Sequence, residues 1–282
     1  MKVAIIGSTG VLGRHVVPRL AERGHQVRAI ARKPAEIRRL QRLGVEALYG
    51  DILAPESLVP ATADCDAALH LATAVPRPGN AQDWRMNDRI RREGTRNFIT
   101  ACATNGVRRY VQQSIALIHG DHGKDIINER ASIQSDPTTQ SAVEMEALVE
   151  ASDFEWCILR AGLFYGPATG REEAWRQAAR AGALQIPGDG TSLASFVRVV
   201  DMARAVVLAI EEARAGSIYH VVDDRPVAWR TLYRYVAAQV DAAEPELGGE
   251  SFLPSLGCSN ARIKAELDWR PLYATYRAGL AY

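Results

Sequence analysis

Three glycines near the start of the chain, Gly7, Gly10 and Gly13, recur at every third position directly after an apolar run. Glycine permits a tight turn and lets the backbone approach a pyrophosphate closely, and the N-terminus of a following helix attracts the phosphate charge. The spacing therefore predicts a phosphate-binding loop for a dinucleotide. We expect its cofactor-binding residues to be Gly7, Ser8, Thr9, Gly10, Val11, Leu12 and Gly13.

The residues after the second predicted strand bear on which dinucleotide is bound. A carboxylate about 20 residues beyond the glycines would bind the ribose 2′-hydroxyl of NAD. This chain has Arg32 and Lys33 there, and its first carboxylate is Glu36. Because two cations suit a 2′-phosphate, the sequence favours NADP over NAD. The alternative for this pair is an ordinary solvated turn.

The segment VQQSIALIHG, residues 111–120, combines a strand-like apolar pattern with Gln112, Gln113 and Ser114 at its centre. Burying amides and a hydroxyl costs free energy unless each finds a partner. We expect the carboxyl end of this strand to lie beside the nicotinamide, where cofactor, substrate and water would satisfy these groups. Gln113 is then a cofactor-binding residue.

The elements that position these residues alternate between short β-branched runs and helical patterns. Such alternation, with strands that are apolar on both faces, predicts an α/β fold with a doubly wound parallel sheet of the Rossmann type. The predicted strands are 2–6, 26–31, 45–50, 65–71, 108–115 and 154–160. The predicted helices are 11–23, 34–43, 55–62, 83–105 and 140–152.

The alternation breaks after Gly162, where a Gly- and Pro-rich stretch begins. We expect a dinucleotide-binding core over 1–164 and a smaller C-terminal substrate lobe over 165–282, which returns a strand near 217–222 to the core. Further helices are predicted at 171–181, 200–213, 228–242 and 259–267.

Composition excludes several classes of partner. The chain has 282 residues, is 47% hydrophobic and 24% charged, and carries a net charge of +1, so nothing favours nucleic acid or an anionic membrane. With a strand starting at Lys2 and no long apolar run, we expect a cytoplasmic protein. Cys65, Cys102, Cys157 and Cys258 lack metal-like spacing and are expected to be reduced packing residues.

Seven segments in a fixed order resemble the extended and atypical short-chain dehydrogenase/reductase superfamily, in its NAD-dependent epimerase/dehydratase-like branch. The resemblance covers essentially the whole chain. The segments are GSTGVLG, YGDILAPESL, DAALHLATAV, REGTRNFITACATNGVRRYVQQSIALIHG, LRAGLFYGP, FVRVVDMARAVVLAI and SNARIKAELDWRP.

The resemblance implies further cofactor contacts. Asp51 and Ile52 would hold the adenine, and a carboxylate at a strand end can accept a hydrogen bond from its amino group. The residues implied along the nicotinamide ribose are Leu71, Ala72 and Thr73. Those implied at the nicotinamide end, where the substrate loop begins, are Ala161, Gly162, Leu163 and Phe164.

The chain departs from the superfamily at its catalytic positions. Active members use a Tyr and a Lys four residues later, and here Thr138 and Ala142 fall at those positions. No Tyr or Lys occurs anywhere between Asp125 and Asp153, and Ile115 stands where a catalytic hydroxyl is expected. Losing an acid/base group typically slows a reaction about 10²- to 10⁴-fold.

Nearby residues offer substitutes for the missing catalytic groups. The substitutes near the site by sequence are Ser114, His119, His122 and Tyr165, of which we name Ser114, His119 and Tyr165 as candidate catalytic residues. The alternative for His119 is a solvated loop histidine, and the alternative for Tyr165 is a ring that packs the substrate loop. His119 and His122 flank Asp121, but no third ligand group appears in the sequence, so we expect no metal.

The predicted helix over 83–105 has one basic face, formed by Arg85, Arg89, Arg92 and Arg96. Asp88 with Arg92, and Arg89 with Glu93, are spaced for i,i+4 ion pairs, which is typical of a solvated face. A face this charged would make a weak interface, so both a monomer and a homodimer stay open.

The sequence as a whole predicts an NADP-dependent oxidoreductase that reduces a small organic carbonyl or double bond without the usual Tyr and Lys. The cofactor carries the hydride chemistry, and the protein orients the substrate. Two alternatives stay open. One is a non-catalytic NAD(P)-binding sensor, and the other is an epimerase or dehydratase.

Overall fold

The computed structural model describes residues 1–76, 84–251 and 253–281. Contacts within the chain define two compact units. The first comprises Met1–Ser114, Asp136–Leu159 and Ala203–Ile218, and the second comprises Ile115–Ser135, Arg160–Met202 and Tyr219–Tyr282. A division into 1–164 and 165–282 stays a prediction.

The strands follow the predicted β-branched runs closely in the first half of the chain. They are β1 (Lys2–Ile6), β2 (Gln26–Ala31), β3 (Glu46–Tyr49), β4 (Ala67–His70), β5 (Arg109–Ile115), β6 (Ile126–Ile127), β7 (Glu155–Ala161), β8 (Leu163–Tyr165), β9 (Ile186–Pro187), β10 (Leu193–Ala194), β11 (Phe196–Arg198), β12 (Ser217–Val221), β13 (Val227–Ala228), β14 (Leu247–Gly249) and β15 (Gly257–Cys258).

The helices also lie close to the predicted ranges. They are α1 (Gly13–Glu22), α2 (Pro34–Arg42), α3 (Leu58–Thr62), α4 (Arg85–Arg89), α5 (Thr95–Thr104), α6 (Gln140–Glu150), α7 (Arg171–Arg180), α8 (Val199–Glu212), α9 (Trp229–Ala238), α10 (Ala261–Leu267) and α11 (Tyr276–Leu280). Short 3₁₀ turns occupy Pro55–Ser57 and Ala116–His119.

One seven-stranded sheet has the order β12-β7-β5-β4-β1-β2-β3. Strand β1 pairs in parallel with both β2 and β4, so that Ile6 stands beside Ile30 on one side and His70 on the other. The strand order therefore reverses at β1, which creates a crevice at the carboxyl ends of β1 and β4 where α/β proteins bind ligands. The predicted doubly wound Rossmann sheet is confirmed.

The predicted long helix over 83–105 is interrupted. Helix α4 runs into a π-helical turn over Ile90–Gly94 and then into α5, and residue 83 lies outside the described residues. A Cβ on Gly94 would lie 2.9 Å from the Ile52 side chain. The extra residue of the π turn thus occurs where the helix packs closely against the loop after β3.

The ion pairs expected on this helical segment are present. Arg89 Nη2 lies 3.0 Å from Glu93 Oε2, and Arg92 Nη1 lies 4.0 Å from Asp88 Oδ2. Arg92 also pairs with Glu144 of α6. The basic face is therefore partly neutralised by its own acidic neighbours, as the sequence spacing indicated.

Each unit has its own core. In the first, the Phe98 ring contacts both His70 and Tyr110. In the second, Phe196 makes edge-to-face contacts with Trp175 and Trp229, and edge-to-face geometry is favoured by the quadrupoles of the rings. All four cysteines are buried and free of disulfides. Among the described residues, no helix has the length and apolar character needed to cross a membrane.

Candidate functional site

The glycine loop connects β1 to α1, and two of its glycines are required by the fold itself. Gly7 has a φ of 87°, and a Cβ there would lie 2.5 Å from Ala72 N. A Cβ on Gly13 would collide with the Gly7 carbonyl oxygen and lie 2.6 Å from the Ser8 backbone. Gly7 therefore allows the turn after β1 to pack tightly against the loop after β4, and Gly13 allows α1 to start close against that turn.

Gly10 differs because an added Cβ would meet far less of the protein there. It is exposed, and among the described residues only the Gly7 oxygen, at 3.3 Å, would come within 4 Å of a Cβ there. The helix that follows has Leu12 at its N-cap, and within the described chain neither a side-chain cap nor an acidic residue in the first turn neutralises that end. The loop thus leaves room beside a helix N-terminus for an anion such as a pyrophosphate.

Hydrogen bonds hold the rest of this loop in place. The buried Ser8 hydroxyl donates to the Ile30 carbonyl at 2.9 Å, and Arg14 Nε donates to the Thr9 carbonyl at 2.9 Å. The loop shape is therefore set before any ligand arrives.

The two cations after β2 are solvent-accessible. The Arg32 side chain is 60% exposed, and its Nη1 lies 3.9 Å from Asp51 Oδ2. Lys33 is also exposed and precedes α2 as its N-cap. Such a long, exposed ion pair contributes little stability, so the Arg32 guanidinium can turn to another anion at small cost.

The residues implied for the adenine lie beyond β3. Asp51 is partly exposed, and its Oδ1 accepts a hydrogen bond from Leu53 N at 3.0 Å. Ile52 is buried, and its carbonyl accepts from Asn97 Nδ2 at 3.0 Å. Of this pair, only Asp51 retains an accessible polar atom.

The three residues implied along the ribose follow β4 directly. Leu71 is buried and donates its N–H to the Ile6 carbonyl at 2.9 Å. Ala72 is partly buried and Thr73 is exposed. This segment thus runs from the core of the sheet to its surface at the crevice beside the glycine loop.

The polar side chains of β5 find partners within the protein. Gln112 Nε2 donates to the Gln113 carbonyl at 2.9 Å, and Tyr110 donates to Gln112 Oε1 at 3.3 Å. Gln113 Nε2 donates to the Ser114 carbonyl at 2.8 Å. Both amide nitrogens and Gln112 Oε1 therefore have partners within the protein, which offset much of the cost of their burial.

Ser114 belongs to a pair that sequence reasoning missed. Its hydroxyl donates to Glu146 Oε1 of α6 at 2.5 Å, and both residues are buried. The two positions are 32 residues apart, so spacing alone contains no signal for the contact. Glu146 lies in the EMEALVE segment beside two other glutamates, Glu144 and Glu150, and nothing in the sequence singles it out.

His119 is fully buried among polar groups of the second unit. Its Nδ1 lies 3.1 Å from the Ser132 carbonyl, and its Nε2 lies 3.0 Å from His220 Nε2 and 3.3 Å from Arg160 Nη1. Because a carbonyl only accepts and a guanidinium only donates, the partners assign the hydrogen to Nδ1. Burial lowers the pKa of His119. The solvated-loop alternative for His119 is wrong.

His220 was not anticipated from the sequence. With His119 Nε2 as acceptor, His220 Nε2 must donate. Burial, followed by the influence of His119 and Arg160, lowers the pKa of His220 to about 3. Glu129 Oε1 accepts from the His220 backbone N–H at 2.8 Å.

Tyr165 is a core residue at the end of β8. Its hydroxyl donates to Asp223 Oδ2 at 3.1 Å, and both residues are buried. Burial, together with the neighbouring carboxyl, raises the pKa of Tyr165, and burial raises that of Asp223. Asp223, 58 residues away, was also missed from the sequence.

Ala161 to Phe164 lie where β7 passes into β8. A Cβ on Gly162 would lie 2.6 Å from the Ser195 carbonyl, and Leu163 N donates to the same oxygen at 2.9 Å. A narrow crevice in the second unit is bounded by residues 161–163, 116–117 and 193–195. Its walls are almost entirely apolar.

Ser114, His119 and Tyr165 therefore lie in three separate hydrogen-bonded pairs, with Glu146, His220 and Asp223 respectively. Their catalytic roles stay predictions. Over residues 1–76, 84–251 and 253–281, no group of three His, Cys, Asp or Glu side chains is arranged to hold a metal ion.

Residues 7–213, which include the glycine loop and most of the sheet, match a protein family described as NAD(P)H-binding. The chain belongs to this NAD(P)H-binding family. The geometry of the glycine loop agrees with this family. In this NAD(P)H-binding protein Gly10 is exposed beside a helix N-terminus that has no side-chain cap within the described chain.

Relatives of this NAD(P)H-binding protein include named reductases. A 3-diazoavenalumate denitrifying reductase from Streptomyces sp is 30% identical, over 99% of each chain. A 2-alkyl-3-oxoalkanoate reductase from Stenotrophomonas maltophilia is 28% identical, over 86% of this chain and 76% of the relative. The Thermus thermophilus UDP-glucose 4-epimerase, solved in complex with NAD, superposes with a TM-score of 0.81 at 23% identity, over 99% and 96% of the two chains. The resemblance to the short-chain dehydrogenase/reductase superfamily is confirmed.

Proposed function

We propose that this chain is an NADPH-preferring reductase that transfers hydride to a small organic acceptor. The observation that carries the proposal is the glycine loop, where Gly10 is exposed beside the uncapped start of α1. Family membership and relatives that are named reductases support the same reaction class. When bound, the dinucleotide supplies the hydride.

The chain's own residues would bind and orient the cofactor. The backbone of Gly7 to Gly13 would hold the pyrophosphate, and Asp51 would accept from the adenine amino group. Leu71 to Thr73 would lie along the ribose, with Ala161 to Phe164 and Gln113 at the nicotinamide end. Arg32, 60% exposed and in only a long ion pair with Asp51, supports a preference for the 2′-phosphate, assisted by Lys33.

Two acceptor classes follow from the relatives. A diazo compound is named for one and an oxoalkanoate for the other. We therefore propose a diazo group or a ketone as the hydride acceptor of this chain. Both are small compared with a nucleotide sugar.

A second candidate is a dinucleotide-binding sensor without turnover. The observation that favours it is the stretch 126–152, which contains neither Tyr nor Lys. An epimerase or dehydratase would require proton transfers in addition to hydride transfer, and the same missing residues make this a weaker alternative.

The test combines binding with turnover. NADPH and NADH are titrated by cofactor fluorescence, and a panel of aryl diazonium salts and aryl ketones is then screened for NADPH oxidation. Deuterium from 4-deuterated NADPH is followed into the product. We expect tighter binding of NADPH and cofactor oxidation with at least one panel member. Binding without oxidation across the panel would instead support the sensor.

The matched control is Gly10→Val, which should remove binding and turnover together while the thermal unfolding temperature is retained. Turnover that survives in this variant would show that oxidation of NADPH does not depend on the glycine loop, and would contradict the proposal.

A further inference from the structure

Arg91 is a buried cation that forms no ion pair within the described chain. It lies in the π-helical turn between α4 and α5 and is only 4% exposed. Its Nη1 donates to the Ser141 hydroxyl at 3.2 Å and to the Thr138 carbonyl at 3.4 Å, and both of these acceptors are neutral. Because a charge removed from water costs free energy unless it is paired, a buried guanidinium bonded in this way lacks an anion.

Two other buried arginines show how this protein normally compensates such a charge. Arg28 Nη2 lies 2.8 Å from Glu46 Oε1. The Arg198 guanidinium lies over the Tyr273 ring, 3.8 Å from its centroid, where the ring electrons attract a cation. Within the described residues Arg91 has neither a carboxylate partner nor an aromatic face. Its charge is therefore available to an anion that the protein itself does not supply.

The charged groups nearest to Arg91 compensate it only in part. Burial lowers the pKa of Arg91 to about 10, although the charges of Asp88 and Glu146 act in the opposite direction. Asp88 Oδ2 lies 4.0 Å from Arg92, and Glu146 Oε1 accepts from the Ser114 hydroxyl at 2.5 Å. The Arg91 guanidinium thus stays charged near pH 7, at a free-energy cost that a bound anion would reduce.

Asn87 provides a second donor on the same side of this helical segment. It lies four positions before Arg91, a spacing at which side chains share a helix face, and it is fully buried. Its Oδ1 accepts a hydrogen bond from Ala74 N at 2.9 Å, which identifies the oxygen of the amide. Its Nδ2 is buried and has no hydrogen-bond partner within the described chain. A neutral donor with unused capacity therefore accompanies the unpaired cation.

Both side chains lie in the first unit, close to residues expected at the nicotinamide half of the cofactor. Ala74, which bonds to Asn87, directly follows Leu71 to Thr73, the residues implied along the nicotinamide ribose. Thr138, whose carbonyl accepts from Arg91, stands at the position of the missing catalytic Tyr. The two donors thus link the ribose segment to the position from which that Tyr would act.

The dinucleotide does not supply an anion at this place. Its pyrophosphate is expected at the glycine loop and its 2′-phosphate at Arg32, whereas the nicotinamide ring of NADPH is uncharged. A substrate group is then the remaining source of negative charge. The planar guanidinium matches a carboxylate through two parallel hydrogen bonds, and an amide N–H donates to the same kind of oxygen.

We propose that Arg91 and Asn87 bind the carboxylate of an oxo acid whose ketone accepts the hydride. The inference rests on the proposed reductase function and narrows its ketone class to ketones that also carry a carboxylate. The reaction is R₂CO + NADPH + H⁺ → R₂CHOH + NADP⁺. Hydride and its electron pair form the new C–H bond, the carbonyl π bond breaks, and the oxygen takes a proton that is replaced from water. The carboxylate is unchanged, so Arg91 and Asn87 are substrate-binding residues.

The experiment compares oxo acids with esters that lack only the negative charge. The full chain is assayed by NADPH oxidation with 2-, 3- and 4-oxooctanoate and with their methyl esters. At least one acid should exceed its ester about 10- to 100-fold in kcat/KM, the range expected for a charge-assisted contact. Arg91→Met should bring the acid-to-ester ratio of that pair close to 1, mainly through KM, and Arg91→Lys should restore part of it.

Two further variants keep the test independent of how well Arg91→Met folds. Asn87→Asp retains an oxygen for Ala74 N and places a carboxylate one turn from Arg91, so this internal anion should also lower the acid-to-ester ratio. Arg92→Met is the matched control, because it removes the same charge from the next residue, whose side chain is 40% exposed. The ratio should be retained in Arg92→Met.

A binding measurement tests the carboxylate site without turnover. Octanoate and octanamide, which have the same chain length and differ in charge, are titrated by calorimetry into the full chain with NADPH bound. Octanoate should bind at least about 10-fold more tightly than octanamide. The difference should disappear in Arg91→Met and persist in Arg92→Met.

The other outcomes separate this inference from the proposed function. Equal losses for acid and ester in Arg91→Met would overturn the inference and leave the reductase intact, because the guanidinium would then act on the ketone or on the fold. Weaker NADPH binding in Arg91→Met would assign Arg91 to the cofactor and also overturn it. Octanoate binding that depends on Arg91, with no oxo compound reduced, would support the carboxylate site and favour the sensor. Absence of NADPH binding would overturn the proposed function, and with it the oxo acid as its substrate.

Discussion

The glycine loop and the three candidate acid residues differ in how accessible their polar groups are to a ligand. At Gly10 the backbone is exposed, and within the described chain no side chain caps the helix that follows. Ser114, His119 and Tyr165, in contrast, are buried and bonded to Glu146, His220 and Asp223. The polar groups of the glycine loop are accessible to a ligand, whereas the polar groups of the three side chains are hydrogen-bonded to other residues of the protein.

This difference indicates that dinucleotide binding and proton donation depend on different features of this fold. Binding a pyrophosphate requires only backbone shape and a helix end, which a short local sequence can specify. Donating a proton requires a side chain whose hydrogen is free and whose pKa is near the working pH. The described loop has the first property, while Ser114, His119 and Tyr165 each form a hydrogen bond with a partner within the protein.

The largest effect is expected from filling the open side of the glycine loop. Gly10→Val should weaken NADPH binding by more than about 100-fold, because the branched side chain would occupy the space beside the helix N-terminus. The thermal unfolding temperature should fall less than in Gly7→Ala, because within the described chain the one close neighbour of an added Cβ is the Gly7 carbonyl oxygen at 3.3 Å. Fluorescence titration and thermal unfolding measure the two quantities.

Gly7→Ala is the contrasting variant, because Gly7 has a positive φ and a Cβ there would meet the Leu71 and Ala72 backbone. Its positive φ alone should lower the free energy of unfolding by about 1–3 kcal/mol. Equal loss of stability in Gly7→Ala and Gly10→Val would contradict the distinction between a glycine required by the fold and a glycine required by the ligand.

A second prediction concerns the cation at the end of β2. Arg32→Glu should weaken NADPH binding about 10- to 100-fold, since a charge-assisted contact contributes about 1.5–3 kcal/mol, and should affect NADH much less. Arg38→Glu, the same charge change at an exposed position of α2, is the control for net charge. Equal losses for both cofactors in Arg32→Glu would eliminate the 2′-phosphate contact.

Local sequence was sufficient to predict most of the fold. The period of the apolar residues and the glycine positions predicted β1, α1 and β2 to within about two residues at each end. The π turn at Ile90–Gly94 was not predicted, because it arises where Gly94 packs against Ile52, 42 positions earlier in the sequence. A helical period cannot reveal such a contact.

The candidate site was predictable only in part, for the same reason. The glycine loop and Arg32 are local features, and their placement follows from the first two strands. The partners of Ser114, His119 and Tyr165 lie 32, 101 and 58 residues away. Whether a hydroxyl or an imidazole is open or closed depends on these distant partners, so residue type and spacing left the question undecided.

A third prediction concerns the stability of the histidine pair at acidic pH. The pKa of His220 is lowered by burial to about 3, whereas an unfolded histidine titrates near 6.5. Below pH 6.5 the unfolded state therefore binds a proton that the folded state does not, and the free energy of unfolding falls as pH decreases. The loss from His220 should reach about 2 kcal/mol at pH 5.

Buried His70, with a pKa lowered to about 4 by burial, adds a loss of the same sign. Unfolding temperatures between pH 7.5 and 5 measure the total. His220→Gln should make the curve flatter, and His15→Gln, at a half-exposed position, should not. A curve that is unchanged in His220→Gln would mean that His220 is not buried in its neutral form.

The smallest effect is expected at the Tyr165–Asp223 pair. Tyr165→Phe removes the donor to Asp223 Oδ2 and should lower the free energy of unfolding by about 1–2 kcal/mol, the usual cost of a lost buried hydrogen bond. The loss stays moderate because burial raises the pKa of Asp223, so the carboxyl is not left as an unpaired charge. Tyr49→Phe, at a site that is 57% exposed, should change stability by less than about 0.5 kcal/mol. If both variants were equally stable, the Tyr165 hydroxyl would not be held by Asp223, and its hydrogen would be open to a substrate after all.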